Sequence, residues 1–272
     1  STSKANAGSS PKRRNTELAM DLGLNGKRAM VLGGSRGLGW YTAKLLAQEG
    51  CSVALCARGA DGVSQAIDTL RKETPGSHFG ASVDLSNGDA TREFVNNAIT
   101  ELGGLDILIH SASGFDSEGD EAGWARSFQV DVMAGVRAVE AAIPTLKESD
   151  AASIVFTGSM ASKYYFRRRN SYGAAKAAMR TYANELAQSL GRDGIRCNVV
   201  SPGATYFPGG EWDIVKQSKP EFYRNVEKLI PLGRLGTGEE LAQIIAFVAS
   251  PAGMWINSTH VVADGGQVAA VD

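Results

Sequence analysis

The segment Lys27-Arg28-Ala29-Met30-Val31-Leu32-Gly33-Gly34-Ser35-Arg36-Gly37-Leu38-Gly39 runs from a short apolar strand pattern straight into a glycine-rich turn. Behind it, Trp40 to Glu49 is an amphipathic helix pattern closed by Gly50, and glycine is the common residue just past a helix end. The same alternation continues down the chain. Residues 51–57, 78–83, 105–110, 153–157, 195–200 and 260–263 read as further strands, and Asp61 to Glu73 reads as a helix stopped by Pro75-Gly76. Strands separated by helices pair in parallel through right-handed crossovers, so the expected fold is a doubly wound α/β sheet with helices on both faces. No repeat or linker follows residue 26, which makes 21–272 one expected domain.

Composition agrees with that reading and removes other classes. The 272 residues carry 28 basic and 29 acidic side chains and are 43% hydrophobic, enough to bury a large core. A net charge of −1 gives no reason to expect nucleic-acid or membrane-surface binding. Cys51, Cys56 and Cys197 lie in apolar runs and have no zinc spacing, which favours a reducing, cytoplasmic setting over a disulfide framework. His78, His110 and His260 are far apart in sequence, so no metal site is expected. Residues 1–20 are polar, with Lys4, Lys12, Arg13 and Arg14 against Glu17 alone, and read as a disordered tail or cloning remnant with no signal peptide. No run approaches the ~18 apolar residues of a membrane span.

Open parallel sheets bind ligands beyond the carboxyl ends of their strands, which points to the residues after each run. Gly33, Ser35, Arg36, Gly37, Leu38 and Gly39 follow the first strand and precede a helix. Glycines there let a pyrophosphate approach the helix N-terminus, whose free N–H groups and dipole attract an anion. Taken alone, such a turn could equally be structural; its place between strand and helix favours a dinucleotide. After the second strand an NAD site would carry an acid, and here the residue is Arg58. Arg58 and Arg36 together suit a 2′-phosphate and favour NADP(H), the alternative being two solvated surface arginines. Asp84 and Leu85 after the third strand, and Ser111 and Ala112 after the fourth, extend the expected cofactor site. Asp84 could contact adenine or simply hold a turn.

The second half supplies the chemistry. Tyr172 and Lys176 share one face at the start of a helix running to about Leu190, since i and i+4 are neighbours. A nearby ammonium stabilises phenolate, as a tyrosine acid near neutral pH requires. Ser159 stands thirteen positions before Tyr172, just after a strand end. A Tyr-x-x-x-Lys pair alone is more often a surface pair than a catalytic one.

Together these residues resemble the short-chain dehydrogenase/reductase family in its single-domain, ketoreductase-like form, from Leu24 to Gly266. The resemblance rests on the Gly33, Gly37 and Gly39 loop and on the Ser159, Tyr172 and Lys176 spacing. It rests also on Asn198 to Gly203 with Thr205, on Arg234 to Glu240, and on Asp264-Gly265-Gly266. It implies a seven-stranded Rossmann sheet, a nicotinamide cofactor and a homotetramer or homodimer. By the same resemblance Tyr172 would donate a proton to a substrate carbonyl and Ser159 would hydrogen-bond its oxygen. Lys176 would lower the Tyr172 pKa and bind the nicotinamide ribose, and Pro202, Gly203 and Thr205 would border the carboxamide.

The chain departs from the family pattern in three places. Leu32 stands where threonine is common, His110-Ser111-Ala112-Ser113 replaces Asn-Asn-Ala-Gly, and Asp131 replaces the asparagine of the catalytic group. An ionised Asp131 near Lys176 would favour the ammonium and oppose the lowered tyrosine pKa; the plain alternative is a residue on a helix surface. The basic, aromatic stretch Met160 to Asn170 could recognise an anionic or aromatic substrate or face solvent. Residues 204–230, with Phe207, Trp212, Phe222 and Tyr223, sit where the family keeps a substrate lid, though these aromatics could serve only the lid's own packing. The expected activity is reversible, NADPH-dependent reduction of a carbonyl in a small molecule. Alternatives are an NAD-dependent alcohol, polyol or hydroxysteroid dehydrogenase, and a non-catalytic dinucleotide sensor.

Overall fold

The computed structural model describes residues 20–115, 119–165 and 171–269. Among them the chain runs β1 (Arg28–Leu32), α1 (Gly37–Gln48), β2 (Ser52–Ala57), α2 (Ala60–Glu73), β3 (His78–Ser82), α3 (Gly88–Leu102) and β4 (Ile107–His110). Next come α4 (Glu121–Ser127), a π-helical turn (Phe128–Met133), α5 (Ala134–Leu146), β5 (Ser153–Thr157), α6 (Ser171–Leu190) and β6 (Arg196–Pro202). The remainder is β7 (Thr205–Tyr206), α7 (Glu211–Ser218), α8 (Pro220–Leu229), β8 (Gly236–Thr237), α9 (Gly238–Ala249) and β9 (His260–Ala263). Seven strands form one parallel sheet in the order β3-β2-β1-β4-β5-β6-β9.

Each central strand serves two cores, because successive side chains point to opposite faces. Met30, Leu32, Leu108, Ile154 and Phe156 pack with Phe94, Val139 and Met179 of α3, α5 and α6. Ala29, Val31, Ile107, Ile109 and Val155 pack on the other side with Leu46, Ile67 and Ile245 of α1, α2 and α9. Burial on both faces explains why the strands read as unbroken apolar runs. The chain reverses direction between β1 and β4, opening a crevice at their carboxyl ends, where this fold class binds its ligands.

Polar groups, half-buried at Arg196 and buried at Asn198, lock the far end of the sheet. The Arg196 guanidinium donates to the carbonyls of Val248 and Ala249 at the end of α9, and to those of Ser250 and Ile256 beyond it. Asn198 Nδ2 donates to Ile256 O and its Oδ1 accepts from Thr259 N. Asn198 thus ties β6 to the chain entering β9. The short β7–β8 pair was not legible as strand in the sequence; it carries α7 and α8, whose Tyr223 and Val226 form a third cluster with Ala204, Ile230 and Leu235.

Candidate active site

The turn after β1 is built around two glycines. Gly33 has φ +80°, and a Cβ there would lie 2.7 Å from the Ala112 backbone. A Cβ on Gly39 would collide with the Gly33 carbonyl. The turn and the first helical residues therefore stack tightly at the N-terminus of α1, the end of a helix that favours an anion. Backbone bonds hold it: Gly33 N and Gly34 N donate to Cys56 O at 2.9 and 3.0 Å, and Ser111 N donates to Leu32 O at 2.9 Å. Leu32, where the family pattern has a threonine, is fully buried in the core. Arg36 and Arg58 are both exposed, and a Cβ on Gly62 in α2 would lie 3.6 Å from Ser35 Oγ. The glycine turn therefore faces the helix that follows Arg58. Leu85 is buried, while Asp84 Oδ1 accepts from Ser86 N and Ser86 Oγ at 3.0 and 2.8 Å. Those bonds make Asp84 a turn-former and hold its carboxyl below the usual range.

On the other side of the crevice, Ser159 Oγ accepts from Ala161 N at 3.1 Å and opens a short 3₁₀ turn. Gly173 lies so close to that turn that a Cβ would sit 2.7 Å from Ala161 O. The first turn of α6, with Tyr172, is thus packed against the segment that carries Ser159. One helical turn on, Lys176 is buried. Its Nζ donates to Thr157 O at 2.9 Å, lies 3.1 Å from Asp131 Oδ1, and is 5.6 Å from the centre of the Tyr172 ring. Asp131 Oδ2 accepts from Gly114 N at 2.8 Å, and Ser111 Oγ and Thr157 Oγ1 share a 2.5 Å hydrogen bond. Pro202 ends β6, Gly203 follows it, and Thr205 Oγ1 at the start of β7 donates to Gly203 O.

The family profile described as enoyl-(acyl carrier protein) reductase matches residues 33–267. Isoepoxydon dehydrogenase of Penicillium expansum is 33% identical over 252 residues, 92% of this chain and 97% of its own length. The chain belongs to the short-chain dehydrogenase/reductase family. L-Sorbose reductase of Gluconobacter frateurii, solved with NADPH and L-sorbose, superimposes with a TM-score of 0.86 at 25% identity, over 93% of this chain and all of that one. A short-chain dehydrogenase of Burkholderia cenocepacia, solved with NADP, gives 0.82 at 30% identity over 90% of this chain and 99% of its own.

For a short-chain dehydrogenase/reductase, the surroundings of Lys176 are unusual. Asp131 has no exposed surface, which overturns the helix-surface alternative. Burial would push the Lys176 pKa down, yet the Asp131 carboxylate outweighs it and holds the ammonium above its ordinary range. His110, at the end of β4, is pushed down to about 4 by burial and by the Lys176 charge, so it is neutral. Two features lacked a sequence signal. The π-helical turn that aims Asp131 inward follows no readable pattern, although such turns cluster at functional sites. Phe115, half exposed, meets Tyr172 edge-on with ring centres 5.3 Å apart.

Two expectations about substrate fare differently. Phe166, Arg167, Arg168, Arg169 and Asn170 lie outside the described residues. In the 204–230 segment Trp212 stacks on Phe222 and meets Tyr223 edge-on, and Lys216 lies over Tyr206 and Tyr223. Phe207 instead lies against the glycine turn, where a Cβ on Gly37 would come 3.2 Å from its ring, and beside Tyr41 of α1 at 6.3 Å between ring centres. Among the described residues no cluster of metal-ligating side chains and no helix able to cross a membrane occurs.

Proposed function

We propose that this protein is an NADP(H)-dependent oxidoreductase that reversibly reduces a small-molecule carbonyl to an alcohol. The observation carrying the reading is the buried Lys176 ammonium beneath the Tyr172 ring, at the strand ends facing the glycine turn. The glycine turn, with no room for a Cβ at Gly33 or Gly39, fits a pyrophosphate. Arg36 and Arg58 beside it suit a 2′-phosphate, and related proteins bind NADPH or NADP. When bound, the cofactor supplies or takes the hydride.

The chain's own groups manage the proton. Tyr172 Oη donates to the carbonyl oxygen as negative charge develops there. Ser159 Oγ accepts from the backbone, which leaves its own proton free to hydrogen-bond the same oxygen. Lys176 stabilises the phenolate left behind. Asp131 acts on this group through Lys176, and Ser111, Ala112, Pro202, Gly203 and Thr205 line the cofactor's path. Phe115 with the exposed Tyr164 and Tyr165 supports an aromatic or flat substrate, and residues 204–230 a lid over it.

The 21–272 domain functions as a homodimer or homotetramer, for which the exposed edge near β9 speaks: Trp255 is 97% and Met254 71% exposed. Three free, buried cysteines support a cytoplasmic setting. A non-catalytic, dinucleotide-sensing role is the second reading, favoured by the carboxylate at Asp131. The deciding experiment is Tyr172→Phe, assayed by NADPH oxidation against a panel of ketones, quinones and sugars. Turnover falls by about 100- to 10,000-fold, the range of general acid catalysis, while NADPH affinity is kept. Tight NADPH binding without wild-type turnover on any substrate would favour the sensor.

A further inference from the structure

Asp131 reaches Lys176 from the π-helical turn, in which Ala134 N donates to Gln129 O five residues back. Turns of this kind are rare, and a contact from outside the helix bears on this one. His110 Nε2 lies 3.1 Å from the backbone oxygen of Asp131. A carbonyl only accepts, so Nε2 carries the proton and Nδ1 is bare. That Nδ1 is buried and has no hydrogen-bond partner among the described residues. The ring is fixed on its other sides, edge-on to Phe156 at 6.0 Å and against Gly135, where a Cβ would come within 3.1 Å of Cδ2. A buried imidazole with one ring nitrogen unpaired is costly, and this one spends its bonding on the backbone of the π-helical turn, at Asp131 and its neighbour Val130.

We propose that His110 is a positioning residue: by donating to the Asp131 carbonyl it fixes the π-helical turn that sets the Asp131 carboxylate beside Lys176, and so sets the charge felt by Tyr172. The role rests on Tyr172 being the proton donor. The titratable groups acting on Lys176 are Asp131 and Tyr172, and those acting on His110 are Lys176 and Asp131.

The test reads the Tyr172 phenolate by ultraviolet absorbance, isolated by subtracting the Tyr172→Phe protein across a pH titration. A carboxylate near a phenol opposes phenolate, so Asp131→Asn lowers the midpoint by about one unit. His110→Phe, which removes the donor, lowers it in the same direction. In the Asp131→Asn background it adds nothing, because the charge it positioned is gone. His110→Gln, with an amide donor near the Nε2 position, restores the wild-type midpoint. An unchanged midpoint in His110→Phe, or an equal further shift on top of Asp131→Asn, overturns the proposal. Should His110→Phe fail to fold, nitrogen NMR of the wild type decides: a proton on Nδ1 rather than Nε2 sinks it, and a proton on Nε2 with rescue by His110→Gln sustains it. Failure of the functional reading is separate, because it would show as undiminished NADPH-dependent reduction of phenanthrenequinone by Tyr172→Phe.

Discussion

Asp131 and Lys176 form a buried ion pair at 3.1 Å, and removing one partner of such a pair leaves the other charge uncompensated. In this place Asp131→Ala would confound charge with packing, whereas Asp131→Asn keeps the shape and an acceptor for Gly114 N. Losing the negative charge makes phenolate easier to form, so the pH dependence of carbonyl reduction moves to lower pH by about one unit. A pH–rate profile for wild type and Asp131→Asn checks this, and coincident profiles would show that the Asp131 charge does not reach Tyr172. A second residue-scale prediction concerns Arg36 and Arg58. If they bind a 2′-phosphate, the double alanine variant raises the KM for NADPH by about 10- to 100-fold, the worth of one or two charge-assisted hydrogen bonds. NADH, which has no such phosphate, is unaffected; equal loss for both cofactors would return the arginines to solvent.

Helix α9 packs on α1, the helix whose N-terminus faces the glycine turn. Its own start is a capping box: Thr237 Oγ1 accepts from Glu240 N, and Glu240 Oε2 accepts from Thr237 N. Arg234 grips the same carboxylate with both terminal nitrogens, at 2.8 and 2.6 Å, and holds it down at about 2. Thr237→Ala removes the capping oxygen and costs about 1 kcal/mol, read as a fall in Tm of about 2–4 °C for a domain of this size. Thr237→Ser leaves Tm in place, and an unmoved Tm in the alanine variant would show that Arg234 and Glu240 suffice. In the sequence the Arg234 to Glu240 stretch serves only as part of the family resemblance, and the structure shows it to be this helix start. The five central strands were legible because burial on both faces writes a continuous apolar run, and the edge strands β3 and β9 by their short apolar stretches between helices. The β7–β8 pair was not, being two residues long in each strand and held by its surroundings. Nor was the π-helical turn at Asp131, because one inserted residue changes a helix without changing its composition. Tyr172, Lys176 and Ser159 were legible by spacing, but the partners Gly114, Thr157 and His110 arrive from β4 and β5 and are joined to them only by the sheet.

At the scale of the whole molecule, the histidines set the response to acid. His110 and His260 are each pushed down to about 4, both chiefly by burial, His110 next by Lys176 and His260 next by Arg180 and Lys163. His78 is lowered by burial as well. An unfolded chain returns them to about 6.5. Between about pH 6.5 and pH 4 the unfolded state therefore binds more protons than the folded one, and stability is lost as pH falls through that window. The carboxylates add their loss only further down, because Asp106, although burial opposes it, is held below its ordinary range by the Arg28 guanidinium at 2.9 Å and by Ser149. Guanidinium unfolding followed from about pH 7 to about pH 4.5 then shows stability declining with a slope of two to three protons, on the order of several kcal/mol in all. His260→Gln removes one titrating group and lowers that slope by about one proton. A stability that stays flat down to about pH 5 would mean that these imidazoles are hydrated and titrate normally in the folded protein.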